Sequence, residues 1–366
     1  MAGKSGQFAE ILQDTEIRYS LGMNPSLPDF LPRGLLRNPD VQSVLASVPL
    51  RRPFIEHRTR QMSDMSRVEI VTCENGVRLK CLRTAQPSPA APVAVLIHGW
   101  EGSAKSLYML SACSELYNAG FEIWRLQLRD HGDTHELNEG IFHSCRIDEV
   151  VSAVGVIQEQ TGDRPLCLGG YSLGANFSLR VAARAREAGL NFAQVVAICP
   201  VLHPPATLEA LENGPGSYNY YFMRKWRRSL RRKHRYWPDI YDIDEIERHR
   251  TMRALTEHLV TQYSHFPDLM TYLNGYSILG DALATIAAPT LLVAARDDPI
   301  IPPEHLERLA TPESLTIVAT ELGGHCAYLK TLFGPSWADD VLVRSFSAAV
   351  GIRNSEKTMV ARSNAA

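Results

Sequence analysis

The chain has 366 residues, 45% of them hydrophobic and 21% charged, with a formal net charge of −2 at pH 7. This is the composition of a globular chain of one large or two ordinary domains, and no global charge imbalance points to nucleic acid. No stretch is apolar and long enough to span a bilayer, and the opening M-A-G-K-S-G-Q-F-A-E-I-L-Q-D lacks the apolar core of a secretory leader.

Residues 1–60 are irregular and proline-rich (Pro25, Pro28, Pro32, Pro39, Pro49, Pro53). They read as an extension that wraps the surface with one or two short helices and carries no chemistry. From residue 67 the pattern becomes regular. V-E-I-V-T and V-R-L-K-C-L, joined at Glu74-Asn75-Gly76, predict an antiparallel pair. V-A-V-L-I-H is a short continuous apolar run, as expected of a strand buried on both faces. Helical patterns over 105–119, 146–161 and 175–188 alternate with the strand runs F-E-I-W-R-L-Q-L, L-C-L-G-G and V-V-A-I-C. T-L-L-V-A-A then precedes a helix over 303–310, and S-L-T-I-V-A precedes a final helix. Strands alternating with helices imply an α/β fold with a mostly parallel sheet, helices on both faces, and ligands at the carboxyl ends of the strands. Residues 203–285 interrupt the alternation with aromatic, charged, helical sequence, which predicts a helical cap. The expected organisation is thus an extension (1–60), a first core half (61–202), the cap (203–285), a second core half (286–353) and a tail (354–366).

The seven cysteines (Cys73, Cys81, Cys113, Cys145, Cys167, Cys199, Cys326) are scattered, without a C-x-x-C pair. A reducing, cytoplasmic setting is expected, with no disulfide scaffold, metal or cofactor.

Three polar clusters follow strands directly: His98-Gly99, Ser172 and Asp297-Asp298. Ser172 stands in G-Y-S-L-G, between Gly170 and Gly174. A nucleophilic serine on a tight strand-to-helix turn needs small residues two before and two after it. Alone, the pattern arises by chance in roughly one such chain in ten. A serine hydroxyl needs a base, and the base needs an orienting acid. His325, in E-L-G-G-H-C-A, lies on a flexible loop after the last strand, and Asp297 and Asp298 both stand at a strand end. An oxyanion needs two preorganised N–H donors. Leu173, next after the serine, offers one, and Trp100, in H-G-W-E-G-S, the other. His98 is expected to brace that loop. His131, beside Asp130, is a rival base read as a solvated loop-tip histidine. His143 and Ser144 are read as pinning the loop after the fourth strand. Cys145 and Cys326 are read as near the pocket, with no base in sequence reach that argues for a thiolate.

Taken in order, H-G-W-E-G-S, F-H-S, G-Y-S-L-G-A-N, A-A-P-T-L-L-V-A-A-R-D-D-P and G-G-H resemble the α/β-hydrolase superfamily, and within it the YheT-like branch. The resemblance spans roughly residues 65–350. It implies an α/β-hydrolase fold, Ser172 as nucleophile, His325 as base and an aspartate at 297 or 298, with Asp298 favoured by the superfamily spacing to Ile301 and Pro302. It also implies hydrolysis of carboxylic esters, of short or medium acyl chain or glycerolipid-like. An acyltransferase with the same triad, or a catalytically idle binding protein, are the alternatives. R-D-H-G-D at 129–133 departs from the branch, where arginine followed by glycine is usual.

The run R-K-W-R-R-S-L-R-R-K-H-R (224–235) holds eight basic residues, and Phe222, Trp226 and Leu230 share one helical face. Helix 222–235 therefore offers a possible peripheral membrane contact. The favoured reading packs its apolar face inward and leaves its charges in water, partly offset by the acidic run at 239–247.

Overall fold

A computed structural model describes residue 27 and residues 29–352. The opening fourteen residues, Pro25, Pro28 and the tail 354–366 lie outside the described residues.

Eight strands form one sheet: β1 (Arg67–Thr72), β2 (Arg78–Thr84), β3 (Val93–Ile97), β4 (Glu122–Leu126), β5 (Leu166–Tyr171), β6 (Gln194–Ile198), β7 (Thr290–Ala295) and β8 (Leu315–Thr320). Their order is β1-β2-β4-β3-β5-β6-β7-β8. β2 runs antiparallel to both its neighbours, and every other pairing is parallel. All residues of β3, β4, β5, β6 and β7 are buried, which is why these strands read as unbroken apolar runs. Alternation sends Val93, Val95 and Ile97 to one face and Ala94 and Leu96 to the other. Helices α5 (Ile147–Thr161) and α6 (Leu173–Arg184) pack on the first face. Helices α4 (Leu107–Asn118) and α12 (Trp337–Ala349) pack on the second. The expected helix over 303–310 is instead a six-residue 3₁₀ turn, Pro303–Arg308. It contributes one buried side chain, Leu306, too little apolar surface to hold an α-helix in place.

Ahead of the sheet stand three short helices, α1 (Pro39–Leu45), α2 (Arg52–Arg58) and α3 (Arg60–Asp64). Asn38 caps α1 by accepting the Val41 N–H, and Pro39 fixes the first turn. Between β6 and β7 come five helices: α7 (Pro204–Asn213), α8 (Gly216–Tyr236), α9 (Ile243–Arg248), α10 (Met252–Gln262) and α11 (Leu269–Asn274).

The basic helix α8 turns Tyr218, Met223 and Leu230 inward. Arg231 pairs with Glu247 of the acidic run at 2.5 Å. One cation departs from the reading of solvated charges: Lys233 is buried, and its ammonium donates to Asp130 Oδ1 at 2.9 Å and to the Asn138 carbonyl at 2.6 Å. A lone ammonium would be too costly to bury, so this pairing fixes the helix to the loop after β4. That loop carries R-D-H-G-D, and its Asp130 is thus tied to the docking of α8.

Candidate active site

Ser172 stands between β5 and α6, at the helix N-cap, with φ +55° and ψ −118°, a conformation that costs a non-glycine residue about 1–3 kcal/mol. Close packing holds it there. A Cβ at Gly170 would lie 2.3 Å from the Gly174 carbonyl oxygen, and one at Gly174 would lie 2.3 Å from the Ile97 carbonyl oxygen. Both glycines are therefore required by backbone contact, and the turn projects the serine hydroxyl clear of the chain.

His325 follows Gly324, which has φ +56°. Its Nε2 lies 2.9 Å from Ser172 Oγ, and its Nδ1 lies 2.8 Å from Asp298 Oδ2. The other oxygen of Asp298 accepts the N–H groups of Ile300 (2.8 Å) and Ile301 (3.0 Å). With a carboxylate on one side, the neutral ring carries its proton on Nδ1, leaving Nε2 free to accept from the serine. Burial opposes charging of His325, but the negative charge and hydrogen bond of Asp298 outweigh it and raise its pKa above the ordinary imidazole value. Asp297, the neighbouring candidate, points elsewhere and accepts the Gly324 N–H at 2.9 Å, bracing the histidine loop.

The loop after β3 lies directly against this turn: a Cβ at Gly99 would sit 3.2 Å from that of Ser172. Tyr108 takes the Gly99 N–H at 2.9 Å. No backbone carbonyl among the described residues accepts the N–H of Trp100 or Leu173, and both residues line the same cavity as Ser172. His98 Nε2 accepts the Leu128 N–H at 3.2 Å, so its Nδ1–H donates to the Gly99 carbonyl at 2.8 Å, tying the loop to the end of β4. Burial lowers its pKa to about 4, which keeps it neutral. His131 is not solvated: it is 3% exposed, edge-on to Phe142 and 5.0 Å from the His98 ring. The aromatic and apolar packing around it replaces the water expected at a loop tip.

Residues 94–331 match the model of the alpha/beta hydrolase family. The chain belongs to the alpha/beta hydrolase family. It is 27% identical over 310 residues to a provisionally assigned esterase of Synechocystis sp., covering 78% of this chain and 82% of that protein. It is 24% identical over 244 residues to the provisionally assigned esterase YheT of Escherichia coli, covering 65% and 71%. It thus resembles the YheT-like branch. In fold it is similar to an esterase of Pyrococcus furiosus, with a TM-score of 0.52 at 13% identity over 81% of this chain and 94% of that one.

The hydrolase has a further site contact that its sequence does not announce. Ser43, on α1, accepts the His325 N–H at 2.8 Å and donates to the Pro39 carbonyl at 2.7 Å. Beside it the buried Gln42 clamps Leu329, accepting its N–H at 2.8 Å and donating to its carbonyl at 3.1 Å. The N-terminal segment, read from sequence as lacking chemistry, thus fixes the histidine loop. Removing the hydroxyl leaves the His325 N–H without its acceptor and frees the loop to shift. Ser43→Ala is expected to lower the kcat of whatever ester the hydrolase turns over by about tenfold, with KM changing less than about twofold. Stability should fall by only about 1 kcal/mol, the worth of one hydrogen bond. Steady-state kinetics beside thermal melts check this, and Ser43→Thr, which keeps the acceptor, should recover most of the loss.

Ser172 opens into a cavity of about 590 Å³. Its walls come from α1, the loops after β3 and β4, and helices α7, α8, α10 and α11, and most of its lining side chains are apolar or aromatic. Trp100 stacks on Phe222 at 5.4 Å and meets Trp226 edge-on at 5.2 Å, so α8 covers the loop after β3. His143 and Ser144 also reach the lining, and Ser144 joins α11 through a 3.1 Å hydrogen bond with the Tyr272 hydroxyl. Cys326 approaches His325 Nε2 at 3.8 Å. Burial pushes that thiol well above its ordinary pKa, so it is no thiolate nucleophile.

Proposed function

We propose that this hydrolase cleaves carboxylic esters through a Ser-His-Asp triad and an acyl-enzyme. The observation that carries this reading is the unbroken hydrogen-bonded chain from Ser172 Oγ through His325 to Asp298, at 2.9 and 2.8 Å. Ser172 Oγ attacks the ester carbonyl as its proton passes to His325 Nε2, and Asp298 stabilises the imidazolium. The N–H groups of Trp100 and Leu173 receive the oxyanion. The tetrahedral intermediate collapses, and the leaving alcohol takes the proton from Nε2. Water, deprotonated by His325, then attacks the acyl carbonyl, releasing the acid and restoring the serine. The names of the two curated relatives support the ester as the substrate. An apolar cavity of about 590 Å³ supports a short or medium acyl chain, with a glycerolipid as the longer possibility. The seven free cysteines support a reducing, cytoplasmic setting.

The test is labelling with a fluorophosphonate probe beside a chain-length panel of p-nitrophenyl esters. Labelling confined to Ser172, with turnover peaking at one chain length, is expected. A folded protein that neither labels nor turns over any ester would end this reading.

A further inference from the structure

Among the described residues lining the cavity, the only charged side chains besides the imidazoles of His143 and His325 are Arg52 and Lys225; both are cations, and no carboxylate joins them. Burial holds His143 neutral by lowering its pKa to about 3. The two cations differ. Arg52 stands on the N-terminal wall, half-exposed and paired with Glu56 at 2.9 Å, so its charge is largely offset and screened. Lys225 lines the cavity from α8 together with Phe222 and Trp226, the two rings that pack on Trp100, and its charge is felt by His98 and Glu101 on the loop after β3. Three other cations of the helix find counter-charges or carbonyls: Arg231 meets Glu247, Lys233 meets Asp130, and Arg227 reaches the Glu247 carbonyl. Lys225, by contrast, has a neutral hydroxyl and ring as its direct contacts. Its ammonium sits 3.4 Å from the Tyr221 hydroxyl and 5.1 Å from that ring's centre, and it makes no ion pair among the described residues.

The acid that does feel its field is Glu101, which follows Trp100 on the same loop. Burial pushes the Glu101 carboxyl up to about 7 against the pull of Lys225, so at neutral pH it offsets that cation only in part. A cation at an apolar cleft that is only partly neutralised focuses its field into the cleft and attracts an anion there. If the lysine instead only covered Tyr221 with its stem and kept its head in water, its charge would have no bearing on which ester is chosen.

We propose that the ester cleaved here carries an anionic group, phosphate or carboxylate, which Lys225 binds at the cavity wall while the apolar lining holds the acyl chain. This rests on the ester-hydrolase reading above. It makes Lys225 the residue that sets specificity, with Arg52 as an outer, weaker attraction.

Two matched pairs of substrates separate the two sources of negative charge. Decanoylglycerol against decanoylglycerol phosphate places the anion on the alcohol half. p-Nitrophenyl octanoate against the mono-p-nitrophenyl ester of suberic acid places it on the acyl half. In at least one pair, kcat/KM for the anionic member should exceed that for the neutral member by about tenfold, chiefly through KM. Lys225→Gln should collapse that ratio towards one, and Lys225→Arg should retain most of it. A merely structural lysine would lower both members together and leave the ratio unchanged. Neutral esters preferred in both pairs, or a ratio that survives Lys225→Gln, would overturn the proposal while leaving ester hydrolysis intact. Failure of all four substrates together with failure of Ser172 to label would instead sink the hydrolase reading itself.

Discussion

Ser172→Ala is expected to lower kcat/KM for p-nitrophenyl esters by about 10⁴- to 10⁶-fold and to abolish fluorophosphonate labelling, while the protein stays folded. The expected size follows from the role proposed for the hydroxyl. Without Oγ no acyl-enzyme forms, and His325 is left 2.9 Å from a position that no longer holds a nucleophile. What remains is water attack assisted by the oxyanion donors and by binding, which retains about 10³- to 10⁴-fold over the uncatalysed reaction in enzymes of this chemistry. The fold should tolerate the change, because the neighbouring Gly170 and Gly174 make the close backbone contacts and the serine side chain does not. His325→Ala should be nearly as damaging, and the double variant no worse than either single one, since residues that act as a unit fail together. Measurable labelling of Ser172→Ala would place the nucleophile elsewhere. Effects that multiply in the double variant would deny that the two residues act in one step.

Asp298→Asn should cost about 10³- to 10⁴-fold in kcat, with little change in KM or stability. The reason lies in the two backbone N–H groups that hold Asp298 Oδ1, from Ile300 at 2.8 Å and Ile301 at 3.0 Å. Those donors need an oxygen opposite them. An amide at this position therefore keeps its oxygen there and turns its NH₂ towards His325 Nδ1. The ring nitrogen must then accept, which moves the ring proton to Nε2, where it faces the serine hydroxyl and blocks proton transfer. The same substitution also shifts the pH profile. The imidazole must be neutral to act as a base, and the charge of Asp298 raises its pKa. In the unaltered protein, activity is therefore lost as pH falls through that raised value. In Asp298→Asn the raising charge is gone, so the residual activity should keep an acid limb displaced to lower pH. A kcat–pH profile with an unmoved limb would show that Asp298 does not govern the histidine. Asp297→Asn makes the companion measurement. Because Asp297 accepts from Gly324 and does not face the ring, its effect should be far smaller.

The core was legible wherever a short stretch of chain decides its own conformation. The apolar runs at 93–97, 166–171 and 290–295 read as buried strands because a parallel sheet covered on both faces demands apolar side chains at every position. The six-residue turn at 303–308 was misread because a short periodic stretch carries little propensity, and the small surface it buries settles its form. His131 was misread for a related reason. Its position in a polar loop suggested water, whereas burial comes from Phe142 and His98, contacts that local sequence does not record.

By itself, the sequence determined the order of strands and helices, the tight turn at Ser172, and the residue types gathered at the strand ends. Each of these follows from backbone sterics and side-chain periodicity over a few residues. The family spacing favoured Asp298 over the chemically identical Asp297, and the tertiary structure turns the Asp298 carboxylate to His325 and Asp297 to Gly324. It alone brought Ser43 to the His325 N–H across 282 residues of chain, and buried Lys233 against Asp130 while leaving Lys225 without an ion pair among the described residues. Contacts at that separation depend on how whole elements pack, and no local pattern in the sequence encodes them.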